Sequence, residues 1–209
     1  MVRVVSHHVL AEFGPVFAFF VAGQFFSFFT ATAILIVTTS IAFCVSWRRD
    51  RRIPVMPFIS GLFVVIAGII TLLYRAPDAL ILSDSLYYFA IAGIIGAGYI
   101  FKKFVLKLFF DCLFAMSNEG WHTLSLRWFY LCILAGVLNE IVRWNMSPEF
   151  WIDYKFAKLI VITLFGFYQF TVARRYRIPE ESNEWGVRKN LFKNRLKMDT
   201  REKLRKIHV

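Results

Sequence analysis

The stretch Phe25–Trp47, FFSFFTATAILIVTTSIAFCVSW, runs directly into Arg48-Arg49-Asp50-Arg51-Arg52. A bilayer crossing takes about 20 apolar residues, at 1.5 Å rise across roughly 30 Å of hydrocarbon. This stretch meets that length and ends in a cluster of cations, the mark of a cytoplasmic flank. Similar apolar runs follow at Pro54–Tyr74, Leu80–Ile100, Leu124–Val142 and Tyr154–Ala173. The reading is therefore an all-α, polytopic membrane protein with about five transmembrane helices. A soluble chain of 209 residues with 58% hydrophobic residues and 18% aromatic residues would expose far more apolar surface than water tolerates. Lipid solvates such surface, provided that helices satisfy the backbone internally.

The apolar character starts before Phe25. Residues 1–24 form an N-terminal segment in which Phe13–Val21 is too short to cross, Gly14-Pro15 opens the run and Ala22-Gly23-Gln24 interrupts it. The segment is read as interfacial, re-entrant or an extension of the first helix. The membrane domain then covers residues 25–178, and residues 179–209 form a basic tail. That tail carries nine Lys/Arg against five Asp/Glu from Glu180 onward. Trp185, Val187, Leu191, Phe192 and Leu196 recur in it at a spacing suited either to a surface helix on anionic lipid or to a solvated tail. Tethered to a membrane and without a nucleic-acid motif, it gives no expectation of nucleic-acid binding.

Charge chooses the orientation. Arg48, Arg49, Arg51 and Arg52 follow the first span, Lys102, Lys103 and Lys107 the third, and Arg174, Arg175 and Arg177 the fifth. The intervening loops hold only Arg75, offset by Asp78, and Arg143, opposed by Glu149 and Asp153. The positive-inside rule puts the C-terminus in the cytoplasm.

Catalytic constellations are not found. His7, His8 and His208 lie at the termini, and His122 has no carboxylate at metal-ligand spacing. Cys44, Cys112 and Cys132 form no CxxC pair, so neither a disulfide framework nor a zinc site is expected. Gly93-Ile-Ile-Gly96-Ala97-Gly98 lies inside an apolar span and lacks the preceding strand of a phosphate loop. Gly93 and Ala97 instead have the small-xxx-small spacing of a helix-packing face, used within the molecule or for a dimer. No catalytic residue, cofactor or metal is assigned.

Ionisable residues inside a span are costly and call for partners. Lys158 falls about one turn inside the outer boundary, and Glu140 lies at similar depth near the end of the fourth span. The sequence suggests a Glu140–Lys158 pair, with snorkelling of Lys158 to the interface as the alternative.

Several ordered segments resemble the intracellular septation protein A family, also called YciB. They include Thr30–Val37 with Ser46-Trp47 and its basic turn, and Gly68-Ile-Ile-Thr-Leu-Leu73. Trp121-His-Thr-Leu124 with Trp128, Gly136-Val-Leu-Asn139, and Phe150-Trp151 through Lys155-Phe156 continue the likeness, which ends at Gln169 and Arg174-Arg175. Leu80-Ile-Leu-Ser-Asp-Ser85 departs from it, standing where the family often has a Lys-Trp-Lys-like stretch. The resemblance implies a five-span bacterial inner-membrane protein without enzymatic activity. Such a protein supports envelope biogenesis, membrane integrity and septation through contacts with envelope-synthesis and division proteins. A second reading, a small transporter for a lipid or hydrophobic solute, would need a cavity lined by Asn139, Glu140, Lys158 or Gln169.

Overall fold

Serine side chains start three of the long helices. In the computed structural model, which describes residues 2–50, 55–101, 103–111 and 113–189, the described residues are helical apart from the links between helices and the segments 113–117 and 176–189. Helix α1 (Val2–Phe25) is followed by α2 (Phe28–Asp50), α3 (Val55–Tyr74), α4 (Asp78–Ile100), the short α5 (Val105–Phe110), α6 (Asn118–Asn145), α7 (Pro148–Tyr168) and the short α8 (Phe170–Arg175). Ser27 accepts from the backbone N–H of Thr30 at 3.4 Å, Ser117 from Gly120 at 3.4 Å and Ser147 from Phe150 at 3.2 Å. Each is an N-cap meeting one of the donors that a helix start leaves free. Pro148 then occupies the first helical position of α7, where its missing N–H costs nothing.

The long apolar run at the N-terminus is broken at Ser27, three residues later than the sequence reading placed the interruption. Gly23 is no interruption. A side chain there would meet Ile152 Cδ1 at 2.6 Å, so its role is close packing. Residues 2–25 form one continuous helix with Pro15 inside it. Among the described residues, four helical stretches are long and apolar enough to cross a membrane: Phe28–Val45, Asp78–Ile100, Asn118–Asn145 and Pro148–Arg175. They correspond to the expected first, third, fourth and fifth spans. The described apolar parts of α1 and α3, Phe13–Phe25 and Gly61–Tyr74, are shorter.

The chain divides into two compact units, Met1–Ala90 with Cys132–Val161, and Ile91–Leu131 with Ile162–Val209. The first has an aromatic and aliphatic core of Phe19, Phe28, Leu35, Leu80, Trp151 and Ile152. Trp151 meets the rings of Phe19 and Phe28 at centroid distances of 6.0 and 6.2 Å. Thr71 of α3 accepts the backbone N–H of Leu80 at 3.0 Å, supporting the first turn of α4. The hydroxyls of Thr32, Thr38 and Ser40 donate to carbonyls one turn back, so none of the three is left unpaired within α2.

The second unit is built on Trp121, Leu124, Met116, Leu106, Ile95, Val172 and Ala173. Here the structure departs from a plain tail. Residues 176–189 lie along residues 113–117 through bridges Met116–Arg177 and Phe114–Val187. Ser117 N–H donates to Tyr176 at 2.9 Å, Ile178 to Ala115 at 3.0 Å, Ala115 to Gly186 at 3.0 Å and Arg188 to Leu113 at 3.0 Å. Trp185 and Val187 therefore belong to a turn and a bridge, and a surface helix does not begin at Trp185. Leu191, Phe192 and Leu196 lie outside the described residues.

Candidate functional site

Polarity in the first unit is arranged inside out. Leu73, Val161 and Ile141 face outward, while Asn139, Lys155, Lys158 and Ser85 are buried. In hydrocarbon this is the stable arrangement, because lipid cannot pair a polar group and a neighbouring helix can.

Lys155 and Lys158 stand three residues apart on α7 and so share a face. Both ammonium groups reach Asp84 of α4. Lys155 donates to one carboxylate oxygen at 2.6 Å and Lys158 to the other. Aromatic rings line the same place. Lys155 Nζ sits 4.8 Å from the centroid of Trp151, and Lys158 Nζ lies 4.7 Å from Tyr88 and 5.0 Å from Tyr154. Each ring presents its negative face to the cation.

Asn139 of α6 joins this cluster to a second one. Its side chain is fully buried. Oδ1 accepts from Trp151 Nε1 at 2.9 Å and from Lys158 at 3.2 Å, while Nδ2 donates to the Ile81 carbonyl at 2.9 Å and to Ser85 Oγ at 2.8 Å. Ser85 donates onward to Glu140, whose other oxygen accepts from Arg143 Nη2 at 2.6 Å and Nε at 2.9 Å. Arg143 also lies 3.8 Å from Asp78. The connected set holds Asp78, Asp84 and Glu140 against Arg143, Lys155 and Lys158, so its formal charges cancel. It joins α4, α6 and α7 where α4 and α7 begin and α6 ends.

The structure thus brings together Asn139, Trp151, Lys155 and Lys158, and it gives Glu140 and Lys158 different partners. The suggested Glu140–Lys158 pair does not form. Glu140 turns to Arg143 one turn along its own helix, and Lys158 is taken by Asp84. Asp84 is the group that the sequence reading passed over. Gly136 lies in the same unit, where a side chain would meet Phe89 Cε1 at 2.7 Å, so it lets α4 and α6 come close.

Trp121, Leu124 and Trp128 serve the second unit. Trp121 is fully buried, Leu124 is buried beside it, and Trp128 meets Phe165 edge-on at 5.4 Å. Gln169, at the break between α7 and α8, donates to the Phe165 carbonyl at 3.0 Å. Its Oε1, Trp121 Nε1 and Ser125 Oγ are buried without a hydrogen-bond partner among the described residues. Gly93 and Ala97 are exposed, and a side chain at Gly93 would meet nothing within 4 Å. Cys44 and Cys132 are free thiols, and no group of three His, Cys, Asp or Glu among the described residues is placed to hold a metal ion.

An outward apolar surface around a paired polar interior defines a multi-pass helical membrane protein. The model of the intracellular septation protein A family matches residues 8–179, and the chain belongs to that family. It is 29% identical over 185 residues to the inner membrane-spanning protein YciB of Nitrobacter hamburgensis, covering 85% of this chain and 93% of that protein. Over 156 residues it is 32% identical to the proteins of that name from Brucella melitensis biotype 2 and Brucella suis biovar 1. Those matches cover 74% of this chain and 71% and 78% of the relatives. No solved structure matches it. The chain is a multi-pass protein of the bacterial inner membrane.

Proposed function

We propose that this protein is a non-enzymatic inner-membrane component that supports septation and envelope biogenesis by holding partner membrane proteins through helix contacts. The observation that carries the reading is the closed polar network of Asp84, Lys155, Lys158, Asn139, Ser85, Glu140 and Arg143. Its members are bonded to one another, so they serve to fix α4, α6 and α7 as a rigid platform. A transport pathway would need such groups turned toward a passage, which makes the small-transporter reading the weaker one. Flux of a lipid or hydrophobic solute through proteoliposomes of the purified protein would reverse that ranking.

The platform presents apolar faces. The Gly93–Ala97 face of α4 suits close approach of another helix, because Gly93 has no side chain, one built there would meet nothing within 4 Å, and Ala97 carries only a methyl group. It suits a helix of an envelope-synthesis or division protein, or of a second copy. The flanking cations Arg174 and Arg175 suit anionic lipid at the cytoplasmic face. With α2, α3, α4, α6 and α7–α8 as five spans, the C-terminus is cytoplasmic and the Asp84 network lies toward the periplasm. A cysteine at position 189 should then react with a membrane-impermeant thiol reagent only after the cells are opened, and one at position 76 in intact cells. The reverse labelling would invert the topology.

The test of function is in-cell photo-crosslinking from positions 93 and 97, with identification of what is caught, beside a deletion strain under osmotic stress. Capture of division or cell-wall membrane proteins and a fragile envelope are expected. A normal envelope and no captured membrane protein would sink the reading.

A further inference from the structure

Arg127 is a cation inside a span, and no described residue of opposite charge pairs with it. It lies three residues past Leu124, where the fourth span begins, about 5 Å inside it at 1.5 Å per residue. Among the described residues it has no hydrogen-bond or ion-pair partner, and its Nη1 is shielded from solvent without an acceptor. The guanidinium lies over the ring of Tyr168, 5.3 Å from the centroid. An arginine within the hydrocarbon calls for something to pair it. The contrast with the first unit is sharp, since Lys155, Lys158 and Arg143 all reach carboxylates there.

The surroundings say what the partner is. Tyr168 is 56% exposed, as are its α7 neighbours Leu164 at 62% and Phe167 at 67%, so this ring stands on the lipid side. Tyr130, three residues on from Arg127 and on the same face of α6, is 62% exposed. Long side chains on a helix lean toward its N-terminus, here toward the end where Ser117 bonds Tyr176 and where Arg174 and Arg175 are exposed. The guanidinium is thus a forked donor at the edge of the hydrocarbon, steadied by an aromatic face, with apolar side chains beside it and further cations at the membrane surface. A phosphodiester fits each part. Its oxygens match the guanidinium fork, its acyl chains lie along the exposed apolar side chains of α7, and its charge is drawn in by the outer arginines.

We propose that Arg127 and Tyr168 form a binding site for the phosphate of a membrane phospholipid. This rests on the reading of α6 as a membrane span and sharpens the lipid contact suggested above. It does not depend on any protein partner, so failure to capture a division protein would leave it standing.

The experiment is native mass spectrometry of the full-length protein in detergent, titrated with dioleoyl-phosphatidylglycerol, with dioleoylglycerol as the lipid lacking phosphate. Wild type should retain phosphatidylglycerol at least about tenfold more tightly than dioleoylglycerol. Arg127→Gln should lose that preference, Arg127→Lys should keep part of it, and Lys103→Gln should leave it unchanged. Circular dichroism on each variant verifies the helical fold, and Arg127→Lys keeps the charge should Arg127→Gln misfold. Retention by Arg127→Gln equal to wild type would overturn the site. So would displacement of the lipid by millimolar inorganic phosphate, which would assign the site to a free anion.

Discussion

The indole N–H of Trp151 donates to Oδ1 of Asn139 at 2.9 Å, with both side chains fully buried. Two helices joined by a short link are thereby fastened through their interiors, and the same Asn139 also holds Ser85, Ile81 and Lys158. Asn139→Leu keeps the volume and removes every one of these bonds. At roughly 0.6 kcal/mol for an average interhelical hydrogen bond in a membrane, the expected loss is about 2 kcal/mol. Unfolding in mixed detergent–SDS micelles measures it. A variant as stable as wild type would show that the network does not hold the helices.

Asp84 carries a larger share, because two lysines depend on it. Asp84→Asn leaves Lys155 and Lys158 buried with no anion beside them. Removing one partner of a buried ion pair costs about 3–5 kcal/mol, so the variant should accumulate poorly or unfold well before wild type. Adding Lys158→Met to Asp84→Asn should recover part of the loss, since one unpaired charge is gone. Glu140→Gln should be milder, because Arg143 lies nearer the end of α6. Equal losses for Asp84→Asn and Glu140→Gln would contradict this ordering.

The positions of the helices were legible because hydrocarbon thickness sets the length of an apolar run. Their starts were less so. Ser27, Ser117 and Ser147 decide them, and a cap is a local bond that hydropathy does not register. Asp84 was missed for a related reason, although none of these serines caps α4. A third span begun at Leu80 puts Asp84 near its boundary, whereas α4 begins at Asp78 and places it six residues, about 9 Å, inside. A signal did exist. Lys155 and Lys158, three apart on one helix, put two cations on one face and require an acid at their depth. Which helix supplies it is a tertiary fact, and Glu140 was as plausible as Asp84 until Arg143 was seen to take it. The 176–189 segment left a trace of its own in Asn183-Glu184-Trp185-Gly186. The Asn183 side chain accepts from the N–H groups of Trp185 and Val187, and Gly186 adopts φ 77°. This is turn chemistry, read at first as part of a charged tail.

That turn is itself testable. At Gly186 any side chain would be held in the left-handed region and would meet the Ala173 carbonyl oxygen at 2.4 Å. Such strain costs about 1–3 kcal/mol, and backbone is a poor neighbour to displace. Gly186→Ala should therefore release residues 176–189 from residues 113–117 while leaving the first unit intact. Hydrogen exchange at the Ala115 and Ile178 amides should speed up by about tenfold or more, on the scale of 1.4 kcal/mol per decade. Unchanged exchange would mean that the bridges do not depend on this turn.

Gly136 and Gly93 separate packing within the chain from packing against something else. A side chain at Gly136 runs into the Phe89 ring at 2.7 Å, so Gly136→Val should destabilise the protein by about 1–3 kcal/mol through overpacking. At Gly93 the space is open, and Gly93→Val should leave the stability of the isolated protein within about 0.5 kcal/mol, as for a site with no neighbour to disturb. If the Gly93–Ala97 face receives another helix, the same valine should abolish that association, because close approach needs a small residue there. Thermal unfolding of the purified variants and crosslinking in cells are read side by side. Lost crosslinks with unchanged unfolding support an external contact. A Gly93→Val protein that unfolds as early as Gly136→Val would show that the face is used inside the molecule, and no partner would need to be sought on it.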